Sequence, residues 1–226
     1  MKNNVELSIV MPCLNEEKTV GHCVDEARAF IENNDLTAEI IVVDNASTDA
    51  SVSVATAHGA TVIREDRPGY GRAIRRGLRA AKGNVIIICD CDMTYDLYNL
   101  ESIYEPLKKG SCDVMMGYRK TTEPGAASFT HRIGAGVLSA LGRMRYHVNV
   151  KDFHCGLRGL TSEANQKLKL RTKGMEFATE MIAEASRNSL TIGQTEVPLK
   201  KCPYGRESKL RTIRDGLRHL LYIAFC

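Results

Sequence analysis

The chain has 226 residues, of which 43% are hydrophobic and 26% charged, and its formal net charge is +4. Such a length and composition are typical of one globular α/β domain. No window approaches 18 consecutive apolar residues and the N-terminus lacks the apolar core of a signal peptide, which excludes a membrane span and a secretory signal and predicts a cytoplasmic protein.

The basic residues are unevenly distributed. One cluster lies on a predicted helix and comprises Arg72, Arg75, Arg76 and Arg79. The second lies near the C-terminus and comprises Arg206, Lys209, Arg211, Arg214 and Arg218. Clusters of this kind suit phosphates, anionic lipid headgroups or nucleic acid, and a solvated helix face is the alternative. The eight cysteines form no C-x-x-C pair and are expected to be small reduced hydrophobic residues.

Strands alternate with helices through the first half. The predicted strands are Glu6–Met11, Glu39–Val43, Ala60–Arg64, the apolar run that begins at Asn84, and Asp113–Gly117. Four helices are predicted between these strands. The first starts after an N-cap at Asn15–Glu17, the second covers Ala50–His58, the third ends at Ala81 and the fourth covers Leu97–Lys109. Continuous apolar strands in this alternation indicate a mostly parallel sheet with both faces covered.

In such a sheet ligands bind at the carboxyl ends of the strands. This rule places three polar loops on one rim: Pro12–Glu16, Asp44–Asp49 and Asp90–Asp96. Asp90 and Asp92 are spaced i, i+2 and leave an extended strand on the same side. A divalent cation that holds a diphosphate requires such a carboxylate pair, and an acidic turn is the alternative reading.

The second half is less regular. Its predicted segments are a loop at Thr121–Thr130, a helix at His131–Tyr146, a polar segment at Lys151–Gly159, a helix at Glu176–Asn188, an edge strand at Leu190–Leu199, a loop at Tyr204–Lys209 and a helix at Arg211–Phe225. The His131–Tyr146 pattern fits a helix on a membrane surface as well as a helix packed on the sheet.

The first loop excludes several nucleotide-binding folds. A dinucleotide-binding Rossmann enzyme and a P-loop protein both need glycines there, whereas Pro12–Glu17 contains none. A nucleotidyltransferase is disfavoured because it needs a glycine-rich basic loop at this position. A diphosphate is therefore expected to be held by a metal on Asp90 and Asp92, assisted by arginines.

Three N-terminal motifs carry a resemblance to a known family: Ser8–Glu17, Glu39–Asp49 and Asp90-Cys91-Asp92. Together they resemble the family 2 glycosyltransferases, which implies the GT-A fold, a Rossmann-like αβα sandwich. Three later motifs are similar to those of the polyprenyl-phosphate sugar synthases, the group that includes dolichyl-phosphate mannose and glucose synthases. They are Gly117-Tyr118-Arg119, Asp152–Arg158 and Arg206–Leu210.

The resemblance implies a donor site on the rim. Pro12, Leu14 and Glu16 match the loop around the donor base and ribose, and Asp44 matches the acid that reads the base. Asp90 and Asp92 match the DxD motif that binds Mg²⁺ or Mn²⁺ and the nucleotide diphosphate. Arg206 and Lys209 match basic residues of a loop that closes over the donor phosphates. A helix cap is the alternative role of Glu16.

The resemblance also implies an acceptor site. Arg119 and Arg132 match arginines near an acceptor phosphate, and Asp152 and Arg158 belong to the same motifs. A solvated helix face is the alternative for Arg132. Asp92, Asp152 and Arg119 are the expected catalytic residues.

Two features depart from the family pattern. Similar mannose synthases often have a glutamine as a further metal ligand where this chain has Thr94, and a hydroxyl is the poorer ligand. Many relatives continue into membrane spans, whereas this sequence stops at Cys226. A soluble or peripheral protein, with or without a partner, and a truncated sequence all fit the second departure.

The sequence predicts one GT-A domain over residues 1–226, with a nucleotide-sugar half at 1–118 and an acceptor half at 119–226. The expected activity is inverting, metal-dependent transfer of a hexose from UDP- or GDP-hexose to dolichyl or undecaprenyl phosphate, at most in peripheral contact with the membrane and without nucleic acid. One alternative is a transferase of the same fold that acts on a sugar or peptide hydroxyl with Asp152 as base. The other is an inert protein that binds phosphates or membranes.

Overall fold

The computed structural model describes residues 5–120, 123–124, 129–204 and 212–226, without the side chains of residues 129–132 and 212–213. Within these ranges the strands are β1 (Leu7–Cys13), β2 (Ala38–Asp44), β3 (Thr61–Arg64), β4 (Val85–Ile88), β5 (Val114–Tyr118), β6 (Arg158–Thr161) and β7 (Ile192–Glu196). The helices are α1 (Val20–Asn33), α2 (Ser51–Ala57), α3 (Tyr70–Ala80), α4 (Glu101–Lys108), α5 (Phe129–Tyr146), α6 (Ser162–Lys167), α7 (Phe177–Arg187) and α8 (Thr212–Phe225).

The strands form one sheet in the order β3-β2-β1-β4-β6-β5-β7. The pairs β2–β3, β1–β2, β1–β4 and β5–β7 are parallel, and β6 runs antiparallel to β4 and β5 on either side of it. The predicted α/β class with a mostly parallel central sheet is thus confirmed. Because β6 is reversed, its first residue lies at the edge where β1, β2 and β4 end.

Strand β4 shows that both faces of the sheet are covered. None of its four residues, Val85–Ile88, is more than 4% exposed. Val85 and Ile87 pack with apolar residues of α1 and α4, while Ile86 and Ile88 pack with those of α3 and α7. Successive side chains of a strand point to opposite faces, so the continuous apolar run gives one core on each side.

One local expectation is wrong. Helix α1 begins at Val20 with Thr19 at the N-cap and no acid in its first turn, because Glu16–Thr19 form a separate turn in front of it. The backbone carbonyl of Glu16 closes that turn by accepting from the amides of Thr19 and Val20 at 3.0 and 2.9 Å. The last two residues of the polar segment Lys151–Gly159 begin β6.

The edge strand expected in Leu190–Leu199 is confirmed as β7, which ends the sheet. The helix expected at His131–Tyr146 is α5, which packs against α7 and α8. Ile133, Val137 and Met144 on the same helix are more than half exposed.

All eight cysteines lie within the described residues and are unpaired, and every one except Cys226 is buried. Burial raises the pKa of the Cys89 thiol, and it raises that of Cys155 to about 11. No helix in the described ranges is long and apolar enough to cross a bilayer.

Candidate active site

Hydrogen bonds join the loops after β1 and β2 into one surface. The Asn15 amide donates to Ser47 Oγ at 3.0 Å, and the Thr48 amide donates to Asn15 Oδ1 at 2.8 Å. The Glu16 amide donates to Ser51 Oγ at 2.7 Å. Two of the three polar loops predicted on one rim are therefore in direct contact.

Asp44 is the last residue of β2 and is 2% exposed. Its Oδ1 accepts from the Ser47 amide at 3.0 Å, and its Oδ2 lies 3.9 Å from Nε of Arg64. The carboxylate thus fixes the turn that follows β2. Pro12 and Leu14, the other residues expected around the donor base, are half-buried at the end of β1.

The third loop is tied to the first through Cys91. Its thiol donates to the Pro12 carbonyl at 3.2 Å, and its carbonyl accepts from Thr19 Oγ1 at 2.8 Å. The Thr19 hydroxyl also lies 3.2 Å from Glu16 Oε2. The stretch from Asp90 to Asp92 is therefore attached to both the β1 loop and the start of α1.

The two carboxylates after β4 have different surroundings. Asp90 is half-buried, and its Oδ1 accepts from the Tyr70 hydroxyl at 3.2 Å. Asp92 is 1% exposed, and its Oδ1 accepts from the backbone amide of Thr94 at 3.0 Å and from the Thr94 hydroxyl. The hydroxyl of Thr94, which stands where similar mannose synthases often have a glutamine, therefore orients Asp92.

Arg119 and Asp152 form a bidentate ion pair on the other side of the rim. Arg119 Nε donates to Asp152 Oδ2 at 2.7 Å, and Nη2 donates to Oδ1 at 3.0 Å. Burial alone would raise the pKa of Asp152, but the hydrogen bonds and charge of Arg119 outweigh it and hold this pKa below its usual range. The structure therefore joins two residues that lie in separate sequence motifs.

The segment before β6 lies directly against the carboxylates after β4. The Gly156 amide donates to the Tyr95 hydroxyl at 2.9 Å. A Cβ placed on Gly156 would lie 2.1 Å from Asp90 Oδ2, so only glycine allows the backbone this close. The predicted donor and acceptor motifs therefore meet at Asp90.

Arg158 does not lie where the acceptor prediction placed it. Its side chain is 1% exposed, and its guanidinium donates to the backbone carbonyls of Cys155, Phe153 and Ala178. The buried guanidinium thus holds the segment before β6 against α7. The prediction that Arg158 contacts an acceptor is wrong.

A polar contact between α7 and α8 borders this side of the rim. His219 Nδ1 lies 2.8 Å from Thr179 Oγ1, and the His219 ring packs edge-on against His154 with centroids 4.5 Å apart. Burial lowers the pKa of His219 to about 4 and, together with the charge of His219, lowers that of His154 to about 3. Both rings are therefore neutral at physiological pH.

Sequence patterns did not identify Tyr70 or Thr19 as part of the rim, and they gave no separate role to Tyr95 or Gly156, which lie inside predicted motifs. All four contact it through partners at least 20 residues away in the chain, and no local spacing reports such contacts. Arg206 and Lys209 lie outside the described residues, and so does the side chain of Arg132.

Residues 8–169 match the family model of glycosyl transferase family 2. The chain belongs to glycosyltransferase family 2. Membership makes it a glycosyltransferase, as predicted, and the family-model match includes every rim loop described above.

Two relatives are similar to this glycosyltransferase over nearly its whole length. The low-salt glycan biosynthesis hexosyltransferase Agl6 of Haloferax volcanii is 34% identical over 220 residues, which are 96% of this chain and 52% of that protein. The chain thus spans about half the length of that relative. The dodecaprenyl-phosphate galacturonate synthase of Rhizobium johnstonii is 26% identical over 234 residues, covering 98% of this chain and 68% of the relative.

Solved structures show the same fold. Glucosyl-3-phosphoglycerate synthase from Mycobacterium tuberculosis, crystallised with Mn²⁺, UDP-glucose and phosphoglyceric acid, superposes with a TM-score of 0.77 at 24% identity. The alignment covers 97% of this glycosyltransferase and 79% of that chain. The GT-A fold expected from the motifs is thereby confirmed.

Proposed function

We propose that this glycosyltransferase moves a hexose, with inversion, from UDP- or GDP-hexose to a polyprenyl phosphate. The observation that carries the choice of acceptor is the ion pair between Arg119 and Asp152. A hydroxyl acceptor needs a general base, and a carboxylate whose pKa is lowered by a bidentate arginine is a weak one. A phosphate acceptor is already an anion and needs no base. The name of the dodecaprenyl-phosphate synthase relative supports the same acceptor class.

The donor half is proposed to comprise residues 1–118. Pro12, Leu14, Glu16 and Asp44 would surround the base and ribose, since they lie at the ends of β1 and β2 or on the loop that follows β1. The Mn²⁺ and UDP-glucose bound to glucosyl-3-phosphoglycerate synthase support a nucleotide-sugar donor for a chain of this fold.

The residues after β4 fit a hard divalent cation. Asp90 and Asp92 offer carboxylate oxygens, and the described residues contain no cluster of three or more acidic, histidine or cysteine ligands. Mg²⁺ in particular is held by one or two carboxylates plus substrate phosphates rather than by an all-protein cage. Glycine at position 156 keeps a Cβ away from the Asp90 carboxylate, which the backbone approaches closely. When bound, the ion would stabilise negative charge on the departing diphosphate.

The protein residues would align the reactants and neutralise their charges. Tyr70 and Thr94 hold the carboxylates of Asp90 and Asp92 in place, which avoids reorganisation during the reaction. Arg119, kept in orientation by Asp152, would face the acceptor phosphate. Arg206, Lys209 and Arg132 are proposed to complete the phosphate contacts.

Paired acceptors test this proposal. The chain is incubated with labelled UDP- and GDP-hexoses, Mn²⁺ and either a polyprenyl phosphate or the matching polyprenol. We expect a lipid-linked sugar with the polyprenyl phosphate and none with the polyprenol. In Asp92→Asn the amount of product should fall by about a hundredfold or more. Glu163→Gln serves as the matched control, because Glu163 is an exposed acid on α6 away from the rim.

Two results would contradict it. One is the absence of lipid-linked product with every donor. The other is glycosylation of the polyprenol or of a soluble hydroxyl acceptor that is lost in Asp152→Asn, which would establish the alternative with Asp152 as base.

A further inference from the structure

Two cysteines occupy matching positions on neighbouring strands at the rim. The parallel register of β1 and β4 ends with Val10 opposite Ile88. Counted on by three residues, it places Cys13 level with Cys91. The Cys89 amide donates to the Val10 carbonyl at 3.1 Å, so the pairing continues past the end of β4. Both Cys13 and Cys91 belong to the same core cluster, which places their side chains on the same face of the sheet.

The thiols of Cys13 and Cys91 are neighbours in space. They lie close enough for a hydrogen bond between them. The Cys91 thiol also donates to the carbonyl of Pro12, the residue before Cys13, at 3.2 Å. Neighbouring strands lie about 4.8 Å apart, which is within the Cα separation of about 4.4 to 6.8 Å that a disulfide spans. The pair can therefore be bridged while the sheet stays folded.

Cys13 is the thiol of the pair that ionises more readily. Hydrogen bonds from Cys91 and Ser51 outweigh burial and hold the pKa of Cys13 below its usual range. The hydrogen bond with Cys13 and burial raise the pKa of Cys91. Redox-sensing sites use this combination, in which a thiol of low pKa reacts with the oxidant and a neighbouring thiol resolves the product.

Burial restricts which oxidant reaches the pair. Cys13 and Cys91 are each 2% exposed, but Cys13 is the last residue of β1 and is followed by the half-buried Leu14. A bulky oxidant such as glutathione disulfide is too large to approach these sulfurs. Hydrogen peroxide is little larger than a water molecule and is therefore the class of oxidant that fits.

We propose that Cys13 and Cys91 are a peroxide-sensitive pair that forms a disulfide across the active-site rim. The Cys13 thiolate attacks one oxygen of hydrogen peroxide, the O–O bond breaks, and the hydroxide takes up the thiol proton and leaves as water. The sulfur of Cys91 then attacks the sulfenic acid on Cys13, and the hydroxyl leaves with the Cys91 proton as a second water. Two thiols thus give two electrons to one peroxide, and a dithiol reductant reverses the oxidation.

The disulfide changes the rim because Cys91 stands between Asp90 and Asp92. Bonded sulfurs lie about 2 Å apart, closer than any hydrogen bond, so the Cys91 side chain has to leave the Pro12 carbonyl. Its movement displaces the backbone that carries both carboxylates, and we expect weaker Mn²⁺ binding in the oxidised protein. This consequence rests on the metal site proposed above, whereas formation of the disulfide does not.

Peptide mapping tests the disulfide. Cys226→Ser removes the exposed thiol that would join two molecules, and this chain is treated with hydrogen peroxide while folded. After free thiols are blocked and the chain is digested without reductant, we expect the peptides of Cys13 and Cys91 to be joined, and dithiothreitol to separate them. Cys13→Ala or Cys91→Ala should abolish the joined pair. Cys112→Ala removes a buried thiol just before β5, at the opposite end of the sheet, and should leave the pair unchanged.

Electron paramagnetic resonance of Mn²⁺ in the presence of UDP or GDP tests the consequence. The apparent dissociation constant for Mn²⁺ should rise by about tenfold or more after peroxide treatment and return to its initial value with dithiothreitol. In Cys13→Ala, Mn²⁺ binding should be the same with and without peroxide. Circular dichroism of each alanine variant verifies that it is folded.

Recovery of Cys13 and Cys91 as separate thiols or as sulfinic acids, after peroxide treatment of the folded chain, would overturn the proposal. An equal loss of Mn²⁺ binding in Cys13→Ala would also overturn it, because other oxidised groups would then cause the loss. A reduced chain that binds no Mn²⁺ would contradict the proposed metal site, and the peptide map would still decide for or against the disulfide.

Discussion

Thr94 affects the proposed metal site through the orientation of Asp92. The carboxylate is 1% exposed and accepts two hydrogen bonds from this one residue, from its amide and its hydroxyl. Partners that orient a metal ligand typically change metal affinity or activity by about 10- to 100-fold when they are removed. The loss of a glutamine ligand at this position is therefore compatible with a working site.

Replacing the hydroxyl by a methyl group tests this role. We expect Thr94→Val to need about tenfold more Mn²⁺ for half-maximal rate, because Asp92 loses its side-chain donor, while Thr94→Ser should stay close to the unsubstituted chain. The measurement is glycosyl transfer as a function of Mn²⁺ concentration. Thr56→Val removes an exposed hydroxyl on α2 and should change nothing. An unchanged Mn²⁺ dependence in Thr94→Val would exclude the role.

Single residues also show how far sequence reasoning extends. Asp90 and Asp92 could be located because an apolar strand ends in two acids, a local pattern. The resemblance of its motif places Arg158 near the acceptor, whereas in the structure its guanidinium is buried and donates to the carbonyls of Cys155 and of Ala178 on α7. Burial of a charge depends on partners that only the folded chain brings together.

At the level of elements, the approach of the β6 segment to the end of β4 depends on Gly156. Gly156→Ala would place a methyl carbon 2.1 Å from Asp90 Oδ2, so the carboxylate or the backbone has to move. We expect a folded protein with transfer reduced by about 100-fold, since a displacement of about 1 Å at a reacting centre can cost that much. Activity and the thermal midpoint are the two measurements.

Gly136→Ala is the control for that change. A Cβ at Gly136 on α5 meets nothing within 4 Å, and alanine favours a helix, so activity should be retained. If Gly156→Ala were as active as Gly136→Ala, the close approach to Asp90 would have no functional meaning.

The packing of α8 on α7 should weaken in acid. The pKa values of His154 and His219 are lowered from 6.5 to about 3 and about 4. Below about pH 6.5 the unfolded chain binds these protons and the folded chain does not, so the free energy of unfolding falls by up to roughly 1.4 kcal/mol per pH unit for each histidine. The loss continues until the folded pKa is reached.

Urea unfolding at about pH 7 and about pH 5 measures this effect. His154→Gln/His219→Gln should lose less stability on acidification than the unsubstituted chain, whereas His147→Asn, at an exposed position, should lose as much. Equal losses in all three proteins would show that other groups cause the acid sensitivity.

The elements themselves were predictable to different degrees. Continuous apolar runs located β1, β2 and β4, whose residues are mostly buried, and alternation located the half-buried edge strand β7. Strand β6 has only the four residues Arg158–Thr161, and one of them is a glycine. Its place between β4 and β5 follows from tertiary pairing, which no local pattern reports.

For the molecule as a whole, the sheet joins the two proposed halves. Strand β6 belongs to the half from residue 119 onward, yet it pairs with β4 and β5 of the first half and separates them. Residues 1–118 alone would leave the facing edges of β4 and β5 without a partner. The halves therefore describe where substrates are proposed to bind and not units that fold separately.

We expect the full chain to unfold in a single transition and a fragment of residues 1–118 to remain unfolded. Coincident urea curves from circular dichroism and tyrosine fluorescence test the first, and amide dispersion in an NMR spectrum tests the second. Two separate transitions, or a well-dispersed fragment spectrum, would contradict this expectation.

The distribution of cysteines has a practical consequence. Seven thiols are buried, whereas Cys226 is exposed and directly follows the 81% exposed Phe225. A maleimide reagent applied to the folded protein should therefore react at one position, because access controls thiol modification. The chain thus carries an attachment point for a fluorophore or spin label at the end of α8, where the spectrum of the label would report changes in the surroundings of that helix.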